Sequence, residues 1–82
     1  MTDREIRALR DRYPGTRILI HAGRNWLAFG DDAKVVALTN VSGVSLDSTS
    51  GEHVATVPPL ALEQVLKRMV AAGYRVALAE AT

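Results

Sequence analysis

Apolar side chains recur along this chain with a helical period in some segments and a two-residue period in others. In residues 3–12, Ile6 and Leu9, continued by Tyr13, form a thin apolar stripe among arginines, the spacing of one helix face. Thr2-x-x-Glu5 in front of it has the capping-box pattern, in which each side chain satisfies an amide that the helix start leaves open. Pro14 ends the helix, because it disfavours α geometry at Tyr13. Arg17 to Ala22 is a short β-branched run, expected to be a central strand buried on both faces. Gly23-Arg24 suits a two-residue hairpin with glycine at the first central position, and Asn25 to Phe29 returns as a second strand.

Gly30-Asp31-Asp32 predicts a helix over about Asp31 to Asn40, since acidic side chains near a helix start accept its free amides and suit its positive dipole end. By propensity alone, Lys34 to Thr39 would serve equally as a strand. Val44 to Leu46 and Val54 to Val57 read as short strands around a polar hairpin loop, Asp47 to Glu52. After Pro58-Pro59, Leu62, Val65, Leu66, Met69 and Val70 follow 3-4 spacing, with Glu63 four residues before Lys67. Gly73 closes that helix and Tyr74 to Glu80 alternates as a last strand. A strand, helix, strand order from Val54 to Glu80 implies a parallel crossover. The expected fold is α/β (α+β): one domain over residues 1–82, with a small mixed sheet of about five strands flanked by three helices.

Hydrophobic residues at 48% with 23% charged residues favour a packed core over disorder. No cysteine is present, which removes disulfides and thiolate chemistry and fits a reducing interior, so a cytoplasmic location is expected. The apolar runs are far shorter than the ~20 residues of a membrane helix, and no membrane partner is expected. The net charge of +1 hides an uneven distribution. Residues 1–24 hold six arginines against three acids, a net +3, whereas residues 25–60 hold Lys34 against Asp31, Asp32, Asp47 and Glu52, a net −3. A basic N-terminal third can face an anion such as a phosphate backbone, or form a solvated helix face.

Catalytic patterns are not apparent. His21 and His53 sit in different strands, and a zinc site without cysteine would need carboxylates brought in by the fold, so no metal is expected. Asp31 and Asp32 diverge by ~100° on a helix, which suits capping better than an acid/base pair. Neither a Gly-x-Gly-x-x-Gly nor a Walker motif occurs, so no nucleotide or other cofactor is expected. Ser42, Ser45, Ser48 and Ser50 lie in a turn-rich segment without a nucleophile elbow. The chain is expected to bind rather than catalyse.

Three blocks together resemble the mismatch-recognition N-terminal domain of the DNA repair protein MutS. They are Tyr13-Pro-Gly-Thr16, Gly23-Arg-Asn-Trp-Leu-Ala-Phe-Gly-Asp-Asp-Ala33, and Pro58-Pro-Leu-Ala-Leu62 leading through Ala72-Gly-Tyr-Arg-Val-Ala77 to Ala79-Glu80. They cover almost the whole chain in the family's order. The resemblance implies a mixed sheet flanked by helices and a hairpin whose Phe-x-Glu pair reaches the minor groove, the Phe intercalating beside a mispaired base and the Glu hydrogen-bonding to it. It also implies that the aromatic residue between them points toward the protein.

Here Asn25 stands at the Phe position, Leu27 at the Glu position and Trp26 between them, while Phe29 is kept. Two roles are open for the pair. Leu27 inserts and Asn25 hydrogen-bonds at a minor-groove edge, or Asn25 serves the turn and Leu27 packs against Phe29 or another protein surface. The resemblance thus implies a DNA-associated module binding double-stranded DNA through Arg24, Asn25, Leu27, Arg4, Arg7 and Arg10, with mismatch-specific reading lost or altered. The alternative is a protein-interaction or self-associating module in which Trp26, Leu27 and Phe29 form one apolar patch. The chain has no room for the clamp, lever and ATPase domains of MutS, so it is expected to act as a free-standing copy that binds DNA weakly or docks onto a partner, or to be a piece of a longer polypeptide.

Overall fold

The computed structural model describes residues 3–49 and 51–80. Its elements run α1 (Asp3–Arg12), β1 (Thr16–Ala22), β2 (Asn25–Phe29), α2 (Asp31–Leu38), β3 (Ser45–Thr49), β4 (Glu52–Val57), a 3-10 turn (Pro59–Ala61), α3 (Leu62–Ala71) and β5 (Arg75–Glu80). The expected mixed sheet with three helices is what forms. Thr2, and with it the capping box, lies outside the described residues, as does Ser50.

The five strands lie in the order β3-β4-β2-β1-β5, with β1 and β5 parallel and the other neighbours antiparallel. Strand β1 is interior, as expected, and Ile18, Leu19 and Ile20 are all buried. Successive side chains on a strand alternate between faces, and directly paired residues share one. One face therefore carries Leu19, Trp26, Ala28, Ala55, Val57 and Val76. Helices α2 and α3 cover it, joining Val36, Val65 and Met69 to the same apolar cluster. The other face carries Ile18, Ile20, Leu27 and Phe29. Helix α1 lies on this side, with Ile6 beside Phe29.

Helix α2 is a helix and not a strand, but its acidic start is not what caps it. The N-cap is Gly30, whose φ of 62° is the left-handed region that glycine adopts readily, and no side chain caps the first amides. The stronger cause is burial of Ala33, Val35 and Val36 on the sheet. The helix stops at Leu38, two residues short of the expected Asn40. There the Thr39 hydroxyl donates to the Val36 carbonyl at 2.6 Å, and Asn40 takes a φ of 56°. Arg68 of α3 then donates to the Thr39 carbonyl at 2.7 Å, satisfying an acceptor that the helix end leaves open.

The polar segment expected as a six-residue loop is mostly strand. Ser48 pairs with His53 and Thr49 with Glu52, and Gly51, just before β4, has a φ of 79°. Hydroxyl side chains serve a strand at the sheet edge, where one side of the ladder meets water. Helix α3 closes with two reciprocal bonds, Gly73 N–H to the Val70 carbonyl and Tyr74 N–H to the Met69 carbonyl, both at 3.0 Å.

Asp32 ties α2 to β1. It is 6% exposed, and its Oδ2 accepts the Ile18 backbone N–H at 3.2 Å. The β1–β2 pairing runs only from Ala22↔Asn25 to Ile20↔Leu27, so this carboxylate continues the ladder where β2 turns away. Its Oδ1 accepts from Arg17 at 3.1 Å, and the Arg10 Nε lies 4.0 Å from Oδ2. Removing a buried, hydrogen-bonded carboxylate leaves an amide and two cations without their partner. Asp32→Ala is therefore expected to cost about 3 kcal/mol of stability in urea unfolding. Asp31→Ala, at an exposed position paired loosely with Lys34 at 3.9 Å, is expected to change it by less than about 0.5 kcal/mol.

Candidate nucleic-acid interface

The hairpin that joins β1 and β2 owes its shape to two residues. Gly23 has a φ of 64° while Arg24 remains on the negative side, the combination of a type II′ turn, whose twist matches that of the flanking strands. Ala22 pairs directly with Asn25 across it. Arg24 is exposed at the tip.

Strand β2 divides its residues sharply. Trp26 points to the face covered by α2 and α3, where it packs against the apolar cluster and stacks on His21, with ring centroids 4.4 Å apart and planes 10° from parallel. His21 Nδ1 lies 3.0 Å from a Glu80 oxygen, so the end of β5 is fastened to the same stack. Asn25, Leu27 and Phe29 share the opposite face, each half-buried. The proposed apolar patch of Trp26, Leu27 and Phe29 is thus corrected: alternation along the strand sends Trp26 into the core, away from the other two. Leu27 and Phe29 remain neighbours on one face.

The arginines are also sorted. Arg10 is not a free cation. It donates to the Phe29 carbonyl, lies 3.7 Å from Glu52 and sits beside Asp32, so it is removed from the set of phosphate contacts expected from sequence. Arg7 is exposed but lines a shallow groove with Ile6, Arg10, Phe29 and Glu52, at the end of the sheet away from the turn. Arg4 is exposed one turn earlier on α1. Arg24, Asn25 and Leu27 are thereby brought together at the hairpin, with Arg4 and Arg7 on the helix that covers the same side of the sheet. Glu5 lies on that helix as well and moderates its charge.

One side chain outside the sequence-derived set stands at the hairpin end. Val57 pairs with Trp26, and three residues beyond it Leu60 is 100% exposed. The Pro58-Pro59 pair was the available sign, since it prevents the strand from continuing into α3 without a rigid turn. His21, His53 and the carboxylates do not converge: among the described residues no group of three His, Asp or Glu side chains gathers to hold a metal. Also among them, no helix is long and apolar enough to cross a membrane.

A five-stranded mixed sheet with three helices and a tight β1–β2 hairpin tipped by an exposed arginine defines a small α+β domain. The chain belongs to the MutS domain I family, whose model matches residues 3–82. It is 26% identical over 80 residues to the DNA mismatch repair protein MSH3 of Arabidopsis thaliana, an overlap that covers 98% of this chain and 7% of that protein. It is 33% identical over 72 residues to the DNA mismatch repair protein MutS of Fervidobacterium nodosum, covering 88% of this chain and 8% of the relative. The chain thus spans less than a tenth of the length of these relatives.

The division of β2 into two faces has a direct test. Trp26→Ala is expected to lower stability by about 3 kcal/mol, whereas Asn25→Ala and Leu27→Ala each stay within about 1 kcal/mol, as read by chemical denaturation. Since Trp26 is the chain's one tryptophan, His21→Ala should also shift its emission to longer wavelength by opening one ring face to water.

Proposed function

We propose that this chain is a DNA-associated binding module that acts without catalysis and whose mismatch-specific reading is lost or altered. The observation that carries this reading is the placement of Asn25 and Leu27 as a half-buried pair on one sheet face, beside the exposed Arg24 and with Trp26 on the opposite face against the apolar cluster. Residues two apart on one strand face can address one groove together. Both relatives described above are DNA mismatch repair proteins by name.

The chemistry of the pair differs from the one the family resemblance implies. Asn25 is too short and polar to wedge between bases, and Leu27 offers no hydrogen bond. Each good bidentate base contact is worth ~1–3 kcal/mol of discrimination, and this hairpin has lost the carboxylate that would report on a mispaired base. What remains is cationic and independent of sequence. Arg24 at the tip with Arg4 and Arg7 on α1 supply three cations for phosphates. Arg10 is left out of this set, because it donates to the Phe29 carbonyl and its charge is shared with Glu52 at 3.7 Å and Asp32 at 4.0 Å.

Fluorescence anisotropy with matched and mismatched duplexes at two salt concentrations tests this. Binding is expected at ~10–100 μM for both duplexes at low salt, with log K falling against log salt at a slope of about −3 for three phosphate contacts. Arg24→Ala should reduce that slope by about 1, and the double variant at Arg4 and Arg7 by about 2. Absence of binding to either duplex at low salt would reject the assignment.

A further inference from the structure

We infer that Leu60 is an apolar wedge that enters a base step when the hairpin end of this domain meets duplex DNA, an inference that rests on the DNA-binding reading above. A fully exposed leucine is ordinary when isolated on a mobile surface. Leu60 is different in how firmly it is held. Pro58 is extended, with a φ of −63° and a ψ of 153°, and Pro59 occupies the first position of the 3-10 turn, so the backbone on its N-terminal side is restricted by two rings. Pro58 is itself braced against the turn before β3, since a Cβ on Gly43 would stand 3.6 Å from the Pro58 Cγ. On the other side, Ala61 is buried in the apolar cluster and its N–H donates to the Pro58 carbonyl at 2.9 Å. Pro58 and Ala61 are thus held on either side of the turn, and Leu60 between them is fully exposed.

The position suits insertion as well as the rigidity does. Strand β4 ends at Val57 opposite Trp26, so the proline turn emerges at the end of the sheet that carries Gly23-Arg24 and Asn25. The surface around Leu60 is formed by Glu63, Gln64 and Lys67. Glu63 is paired with Lys67 at 3.4 Å, so the carboxylate nearest the leucine is partly neutralised as a phosphate approaches. Proteins that kink DNA insert leucine, isoleucine, methionine, phenylalanine or proline at a base step and offset the unstacking by wider backbone contact. Leu60 supplies the apolar group that Asn25 cannot, and Arg24 a cation at the same end of the sheet. Pyrimidine–purine steps, which unstack most readily, are the expected sites.

The test uses the whole chain and two readouts: anisotropy for binding, and the fluorescence of 2-aminopurine placed at a TA step, which rises when the base unstacks. Wild type is expected to raise that fluorescence several-fold at saturation. Leu60→Ala should abolish most of the rise while weakening affinity by less than about tenfold, because the arginine contacts remain. Leu60→Phe should retain it. Since Leu60 makes no packing contacts, the alanine variant should fold as the parent does, which circular dichroism checks. Binding with no rise in wild type, or a rise that survives Leu60→Ala, overturns the wedge and leaves DNA binding standing. No anisotropy change at all overturns both. Light scattering that finds a dimer dissolved by Leu60→Ala also overturns it, and assigns the leucine to self-association instead.

Discussion

Strand β2 is hydrogen-bonded to β1 along one edge and to β4 along the other, and this double constraint sets the meaning of every residue in the hairpin. A slip of one position on either side would carry Trp26 off the apolar cluster and turn Asn25 and Leu27 toward it, an exchange opposed by the complete burial of Ala28 and by the packing of the half-buried indole against that cluster. The register is fixed further by the turn, since a two-residue connection through Gly23 leaves no slack. The placement of the hairpin is therefore a property of the sheet, and substitutions at Asn25 and Leu27 can change the chemistry of its face without changing where that face is presented.

The second constraint is electrostatic and lies at the opposite end of the molecule. Asp32 gathers the Ile18 amide, Arg17 and Arg10, while Arg10 also reaches the Phe29 carbonyl and Glu52. Helix α1 has few apolar residues of its own, and this network supplements the thin stripe of Ile6 and Leu9 in holding it to the sheet. The cost is a cation withdrawn from the surface. Charge counted along the chain thus overstates the charge available to a ligand, because one of the six arginines in the first 24 residues is committed to three internal partners and Arg17 to Asp32.

Much of this architecture was legible in the residues. The stop at Pro14, the Gly23-Arg24 reversal, the alternation of Asn25 to Phe29 and the 3-4 spacing of α3 are local signals, and each formed where local chemistry placed it. What was not legible depended on distance. Asp31-Asp32 announced a helix, yet Asp32 serves a strand 14 residues earlier in sequence, a partnership no local rule contains. Asp47 to Glu52 looked like a loop because serine, threonine and aspartate favour turns, but an edge position next to β4 accepts them as strand. Trp26, Leu27 and Phe29 read as one cluster when written in line and are split by the pleat. Leu60 read as one more apolar residue before α3: Pro58-Pro59 marks a rigid turn but does not say whether the leucine after it is exposed or buried.

Strand β5 forms one margin of the sheet, with β1 on its inner side and its outer amides and carbonyls turned to solvent. Its interior, Val76 to Ala79, holds no charged residue, bulge or proline, the devices by which sheet margins ordinarily discourage intermolecular strand addition. This unprotected margin lies one strand away from the β1–β2 hairpin, on the far side of β1 from β2. A lysine introduced at the half-exposed Leu78 would act as a gatekeeper against aggregation while leaving the Arg24 tip untouched.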